Sequence, residues 1–154
     1  MKKYDDASWH YEGEYPKNLP NENAGIFIGM FLAWCVENDF VSEEILEEEK
    51  EVVDKIKAHE ITGSVLLWKL DGKLISEDLN EEGNSFALSY YEDNSKFAKT
   101  YGDYVTDFCE VFNSKAEQSG LEYESLYHVE DTLENYLLIK NLIDIRFKQW
   151  IEFV

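Results

Sequence analysis

The apolar run from Ile26 to Val36 constrains the fold more than any other feature of this chain. It is about half as long as a membrane-spanning helix requires, and acidic residues follow it at once. The run therefore predicts a buried core helix over about residues 23–38. Gly25, Gly29 and Ala33 recur every four residues on one face, where small side chains let a second helix approach closely. We expect this helix to be central.

Composition shows that the chain folds in spite of its charge. The formal net charge is -19, but 44% of the 154 residues are hydrophobic and 15% are aromatic, which is too apolar for a disordered chain. The length fits one domain over residues 1–154. Cys35 and Cys109 lie in separate apolar stretches, which favours buried thiols and a reducing compartment. No secretory signal is recognisable at the N-terminus, so we predict a cytoplasmic protein.

The remaining periodicity predicts a mainly α, multi-helix bundle with an extended N-terminal arm. Pro16 and Pro20 prevent a continuous helix over residues 1–22, so this arm is expected to lie on the helical core. A second helix is predicted over about residues 43–57. The other expected elements are a short helix Val65–Leu70, helices around Phe86–Tyr91 and Phe97–Phe112, a loop from Asn113 through Gly120, a short strand or strut at 126–129, and a C-terminal helix capped by Asp131.

None of the catalytic or metal motifs suggested by the sequence is complete. His10-Tyr11-Glu12 matches the start of a zinc deaminase motif, but no Pro-Cys-x-x-Cys follows. His59-Glu60 begins like a zincin helix, but Gly63 stands where the second histidine is needed. The stretch 78–83 resembles a calcium loop that lacks its final glutamate, so Asn80 is predicted to cap a helix instead. We therefore predict no catalytic residue, no metal and no cofactor.

A cluster of polar and aromatic residues in the arm provides an alternative site. Asp5, Asp6, Trp9 and His10 are groups that bind metals or polar ligands, and His128 would join them if the arm folded back. A small ligand-binding domain or enzyme is the corresponding function. The other interpretation is an arm that is pinned to the core by its aromatic side chains, with one aspartate capping a turn and the histidine hydrogen-bonded.

The charge itself predicts the class of partner. A strongly negative field repels nucleic acid and anionic membranes and speeds encounter with basic proteins. The favoured function is therefore an acidic protein-binding module, an immunity or antitoxin protein that covers the active site of a basic toxin such as a nuclease. A solvated helix face is the more ordinary role of such a charge run. The candidate contacts are Glu43, Glu44, Glu47, Glu48 and Glu51.

Three stretches of the chain carry a resemblance to a known family. The opening resembles a family of uncharacterised small acidic bacterial proteins in the string KYDDASWHY at residues 3–11, in Pro16, Leu19 and Pro20, and in the block at 29–34. The blocks at 78–84 and 126–132 resemble later parts of the same family. The resemblance covers most of the chain and implies no established activity, cofactor or catalytic residue. Small acidic bacterial cytosolic proteins are compatible with an immunity or antitoxin role.

Overall fold

Helices make up most of the chain, together with one two-stranded sheet. The computed structural model describes residues 1–154. In chain order the elements are β1 (Lys3–Asp6), α1 (Ala7–Tyr11), α2 (Ile26–Glu37), α3 (Glu43–Glu48), α4 (Lys50–Lys57), α5 (Gly63–Lys69), β2 (Lys73–Ile75), α6 (Glu81–Tyr90), α7 (Lys96–Tyr101), α8 (Tyr104–Ser119) and α9 (Leu133–Phe153). Short 3-10 turns at Asn21–Gly25, Ser76–Asp78 and Leu126–His128 connect some of them. The predicted mainly helical, single-domain fold is confirmed.

Helix α2 lies at the centre of the core, as its apolar run predicts. Every residue from Ile26 to Val36 is buried, because a helix that is apolar on all sides needs packing on every face. Helix α5 crosses it at the predicted small-residue face. A Cβ atom added to Gly63 would lie 1.8 Å from the carbonyl oxygen of Gly29, so the two backbones are in direct contact there. None of the helices combines the length and apolar composition that crossing a membrane requires.

The N-terminal arm differs from the extended segment that was predicted. Strand β1 pairs antiparallel with β2, with Asp6 opposite Lys73 and an irregularity in register between Lys3 and Asp5. Helix α1 follows directly, because Asp6 caps it by accepting hydrogen bonds from the backbone and hydroxyl of Ser8. Helix α1 ends at Tyr11 with Glu12 as its C-cap, five residues before Pro16.

Two predicted helices are each divided in the structure. The helix over 43–57 is broken at Glu49, which ends α3 and begins α4. This turn lets α4 pack against α2 and α5, whereas α3 stays near the surface. The helix around 97–112 is broken at Gly102, whose φ of 133° only glycine readily adopts.

Three further boundaries were wrong. The loop predicted from Asn113 belongs to α8, which continues to Ser119 and ends at the left-handed Gly120. The segment predicted at 126–129 as a short strand or strut is a 3-10 turn over Leu126–His128, with Ser125 as its N-cap. Helix α9 is capped by Thr132 rather than Asp131, because the Thr132 hydroxyl accepts from the backbone N–H of Asn135 at 3.2 Å.

The thiols are free, as predicted. Cys35 is fully buried within α2, and burial raises the pKa of its thiol well above the usual value. Cys109 is partly buried, and burial also raises its pKa. Neither cysteine is activated as a nucleophile.

Candidate functional site

Two chain segments that are far apart in sequence meet just before α3 and α6. Val41 and Leu79 form an isolated antiparallel bridge. On either side of it the backbone N–H of Ser42 donates to the carbonyl of Asp78 at 2.9 Å, and that of Asn80 donates to the carbonyl of Phe40 at 2.9 Å. The bridge therefore places the starts of α3 and α6 side by side.

Both helices begin with a side-chain cap followed by two glutamates. Ser42 Oγ accepts from the backbone of Ile45 at 3.3 Å, and Asn80 Oδ1 accepts from the backbone of Gly83 at 2.9 Å. The capping role predicted for Asn80 is thus confirmed. Acidic residues in a first helical turn are stabilised by the backbone N–H groups that point toward them. A capped helix start with two glutamates therefore occurs in both α3 and α6, and the Val41–Leu79 bridge brings the two starts together.

The outcome is a run of exposed carboxylates that we call the acidic surface. Its members are all exposed, and none of them forms a salt bridge. They are Glu43, Glu44, Glu47 and Glu48 of α3, Glu77 of the turn before α6, and Glu81 and Glu82 of α6. Glu51, which the sequence analysis had grouped with the α3 residues, lies on α4 and pairs with Lys55 at 3.3 Å.

The charge of the acidic surface affects the pKa of the Asp78 carboxyl group. Its burial raises the pKa, the charges of Glu77 and Glu44 raise it further, and a hydrogen bond from the Ile75 backbone acts in the opposite direction. The net result is a raised pKa. Glu44 and Glu77 therefore act on one point, although 33 positions separate them in the chain.

An exposed apolar side chain lies on the same face of α6 as one of these glutamates. Leu88 is 48% exposed and lies seven residues after Glu81, which places both on one face of α6. Leu88 was not among the predicted site residues, and the α6 glutamates were considered only as part of the incomplete calcium loop at 78–83. The local signal was the acidic pair behind each cap residue, but the pairing of the two helix starts depends on a long-range bridge that no local pattern encodes.

The residues predicted as an alternative ligand site are, unlike the acidic surface, largely paired with other groups of the chain. Asp5 is buried, and its carboxylate is already occupied by three donors. His10 Nε2 lies 2.7 Å from Oδ1, the backbone N–H of Asp6 donates to Oδ1 at 2.9 Å, and the Tyr91 hydroxyl donates to Oδ2 at 2.5 Å. Burial first, and then the charge of Asp5, raise the pKa of Tyr91 well above 10, so its hydroxyl stays protonated as a donor.

His10 is also fully used. Its second ring nitrogen, Nδ1, lies 2.7 Å from the hydroxyl of Tyr127. The Asp5 carboxylate can only accept, so Nε2 donates to it, while Nδ1 is paired with the Tyr127 hydroxyl. No lone pair of the imidazole is left for a metal or a substrate. The arrangement instead fastens β1 and α1 to α6 through Tyr91 and to the turn Leu126–His128 through Tyr127.

Asp6 and Trp9 have separate roles in the arm. Asp6 caps α1 and also receives a charge-assisted hydrogen bond from Lys3 at 2.9 Å. Trp9 is 55% exposed, so it does not pin the arm to the core; the Lys3 ammonium lies 5.3 Å from the centre of its ring.

His128 does not join the arm cluster. Its Nδ1 lies 2.8 Å from the hydroxyl of Ser125, and its Nε2 is buried without a hydrogen-bond partner. The residue that meets the arm is its neighbour Tyr127. The chain brings together no group of three or more His, Cys, Asp or Glu side chains that would hold a metal ion.

An open groove of about 390 Å³ borders the Asp5–His10 pair. Trp9 and Tyr91 contribute aromatic walls, and Asp93 and Asp103 contribute further acidic groups. The carboxylates that dominate its polar lining favour a cationic ligand over an anionic one.

One protein family is found when the chain is compared with known proteins. A family model described as a domain of unknown function, DUF7832, matches residues 3–129. The matched region includes the arm, the acidic surface and Tyr127, whereas α9 lies beyond it. No curated protein and no solved structure matches the chain.

Proposed function

We propose that this chain, which belongs to the DUF7832 family, is an acidic binding module for a basic protein partner. In the fuller form of the proposal, it is an immunity or antitoxin protein that covers the active site of a basic toxin such as a nuclease. Its setting in this proposal is the bacterial cytoplasm, where its two unpaired thiols would stay reduced.

The observation that carries the proposal is the merging of two acidic helix starts into one surface. The seven glutamates of the acidic surface have no cation partner within the chain, so their charge is available to another molecule. An ordinary solvated face usually intersperses charges of both signs, as α4 does with Lys50, Glu51, Asp54 and Lys55. Helix α3 has no basic residue at all.

The physics of association favours a basic partner with a charged cleft. Complementary fields raise association rates by about 10 to 1,000-fold, and the effect falls as salt is added. A nuclease presents a basic cleft for phosphates, and a row of carboxylates imitates the charge of that substrate. Charge alone gives little affinity, however, so an apolar contact such as Leu88 would supply part of the binding energy.

The experiment is an affinity capture from the native host with three versions of the chain as bait. The first is the unaltered chain and the second carries Glu43→Gln, Glu44→Gln, Glu47→Gln and Glu48→Gln. The matched control removes the same charge from exposed residues elsewhere, with Glu14→Gln, Glu117→Gln, Glu122→Gln and Glu152→Gln. We expect a basic protein to be recovered by the first and third baits, to a smaller extent at moderate salt, and to be lost with the second.

The alternative function is a small-ligand site in the groove beside Asp5 and His10. The groove and its acidic, aromatic lining favour a cationic ligand. Thermal unfolding in the presence of divalent cations and of organic amines distinguishes this function, because a ligand that binds only the folded state raises the Tm. An unchanged Tm with every cation would argue against the small-ligand site, and the protein-binding proposal would be the one that stands.

A further inference from the structure

Helix α9 carries an exposed stripe that no other part of the chain covers. The stripe consists of Glu134, Leu137, Asn141, Ile145 and Lys148. Successive members are three, four, four and three residues apart, so they fall within an arc of about 80° on the helix surface. Leu137 is 37% exposed and Ile145 is 51% exposed, and Leu138 beside them is 38% exposed.

Two antiparallel copies of this stripe match each other, with apolar residues opposite apolar residues and acidic residues opposite basic ones. If two copies of α9 are placed antiparallel with their two-fold axis at Asn141, Leu137 of one copy lies opposite Ile145 of the other. Glu134 then lies opposite Lys148, and the two asparagines face each other. An isologous interface needs this property, because the same patch must serve on both sides.

The charge distribution also favours this element for self-association. Helix α9 contains three acidic and three basic residues, so it is neutral, and the net charge of -19 comes entirely from the rest of the chain. The paired α9 helices therefore add no net charge repulsion of their own to the contact. A polar Asn pair within an apolar helix seam fixes register and orientation.

We propose that the chain forms a homodimer through an antiparallel pairing of α9 with the α9 of a second copy. Leu137 and Ile145 form the apolar centre of the interface, and Glu134 and Lys148 form two symmetric ion pairs at its ends. The acidic surface takes no part in this interface.

Charge exchange tests the pairing directly. Within one helix, 14 residues separate Glu134 from Lys148, a distance of about 21 Å, so these side chains meet only between copies. Lys148→Glu places like charges together at both ends of the interface, and we expect the dimer dissociation constant to rise about tenfold. Adding Glu134→Lys restores opposite charges and should recover the original constant.

The measurement is sedimentation equilibrium of the full chain at concentrations up to about 1 mM, where even weak dimers register. We expect the mass of two chains for the unaltered protein and for the control Val65→Lys, which alters an exposed apolar residue on α5. Ile145→Lys should give the mass of one chain with an unchanged circular dichroism spectrum. A monomer at every concentration, or a dimer in which Lys148→Glu has no effect, would overturn the proposal.

Discussion

Arg146 and Asp107 form a bidentate ion pair between α9 and α8. Arg146 Nε donates to Oδ2 at 2.8 Å and Nη2 donates to Oδ1 at 3.0 Å, while the Tyr90 hydroxyl donates to the same Oδ2 at 2.7 Å. Asp107 is 1% exposed, so its charge depends on these donors. Asp107 in turn raises the pKa of Arg146. The only arginine of the chain thus serves the fold rather than a phosphate ligand.

Removing this arginine should be costly. Arg146→Ala leaves a buried carboxylate without its cation, and we expect a loss of about 3–5 kcal/mol in the free energy of unfolding. The free energy of unfolding of Arg146→Lys should lie between those of the unaltered protein and Arg146→Ala, because an ammonium cannot reproduce both parallel hydrogen bonds. Urea unfolding measures the difference, with the exposed Lys99→Ala as the control. A loss below about 1 kcal/mol for Arg146→Ala would show that water replaces the guanidinium.

Replacing Gly102, which lies between α7 and α8, should be destabilising. Its φ of 133° and ψ of 163° lie in a region that only glycine adopts readily, and an added Cβ would come within 3.1 Å of Asp107. We expect Gly102→Ala to cost about 1–3 kcal/mol. Gly120→Ala is the matched comparison, because Gly120 also has a positive φ but has open space around it. Equal costs in thermal unfolding would contradict the packing part of this explanation.

The Tyr91 hydroxyl should stabilise the arm. Tyr91→Phe removes one of the three donors to buried Asp5, and we expect a loss of about 1–3 kcal/mol. The control is Tyr101→Phe, whose side chain is exposed and whose hydroxyl makes no hydrogen bond within the chain. Hydrogen exchange of β1 and α1 provides a second measurement, because loosening should be concentrated there. Uniform protection in both variants would argue against the fastening role.

Asp78 should make stability depend on pH in a direction opposite to that of an ion-paired aspartate. Its pKa is raised in the folded state, above the ordinary 3.8, by burial and then by the charges of Glu77 and Glu44. The folded state therefore holds this proton more tightly than the unfolded state, and the associated stability is present below pH 3.8 and lost as pH rises through the folded-state pKa.

Asp78→Asn removes this dependence. The amide oxygen can still accept from the Ile75 backbone, so we expect a higher Tm than the unaltered protein at pH 7 and an equal Tm near pH 3. Calorimetry over that range measures the difference. A variant that is less stable at pH 7 would show that the charge of Asp78 is favourable where it lies.

The sequence allowed the central helix to be predicted because its signal is strong and local. An apolar run with a small residue at every fourth position indicated both the burial of α2 and the close approach of a second helix, and both are confirmed, with α5 as that helix. The breaks at Glu49 and Gly102 were missed because the hydrophobic stripe continues across each of them. The break at Glu49 depends on the packing of α4 against α2. The break at Gly102 depends on the positive φ of that residue.

The candidate site could be predicted only in part, because part of it depends on contacts between distant segments of the chain. The exposure of Glu43, Glu44, Glu47 and Glu48 agrees with the acidic helix face that was predicted. Their continuation onto Glu77, Glu81 and Glu82 depends on the Val41–Leu79 bridge, which spans 38 positions of sequence. Likewise, the cluster of Asp5 and His10 was recognised, but its partners Tyr91 and Tyr127 come from distant elements.

The binding role of the acidic surface is tested most directly by the association rate of the captured basic partner with the chain as a function of salt. We expect the rate to fall steeply with salt for the unaltered chain and for the control that lacks the Glu14, Glu117, Glu122 and Glu152 carboxylates. Once the four α3 glutamates are glutamine, we expect a slower rate with a flatter salt dependence. Identical rates and salt slopes for all three proteins would contradict the claim that the acidic surface is where the partner binds.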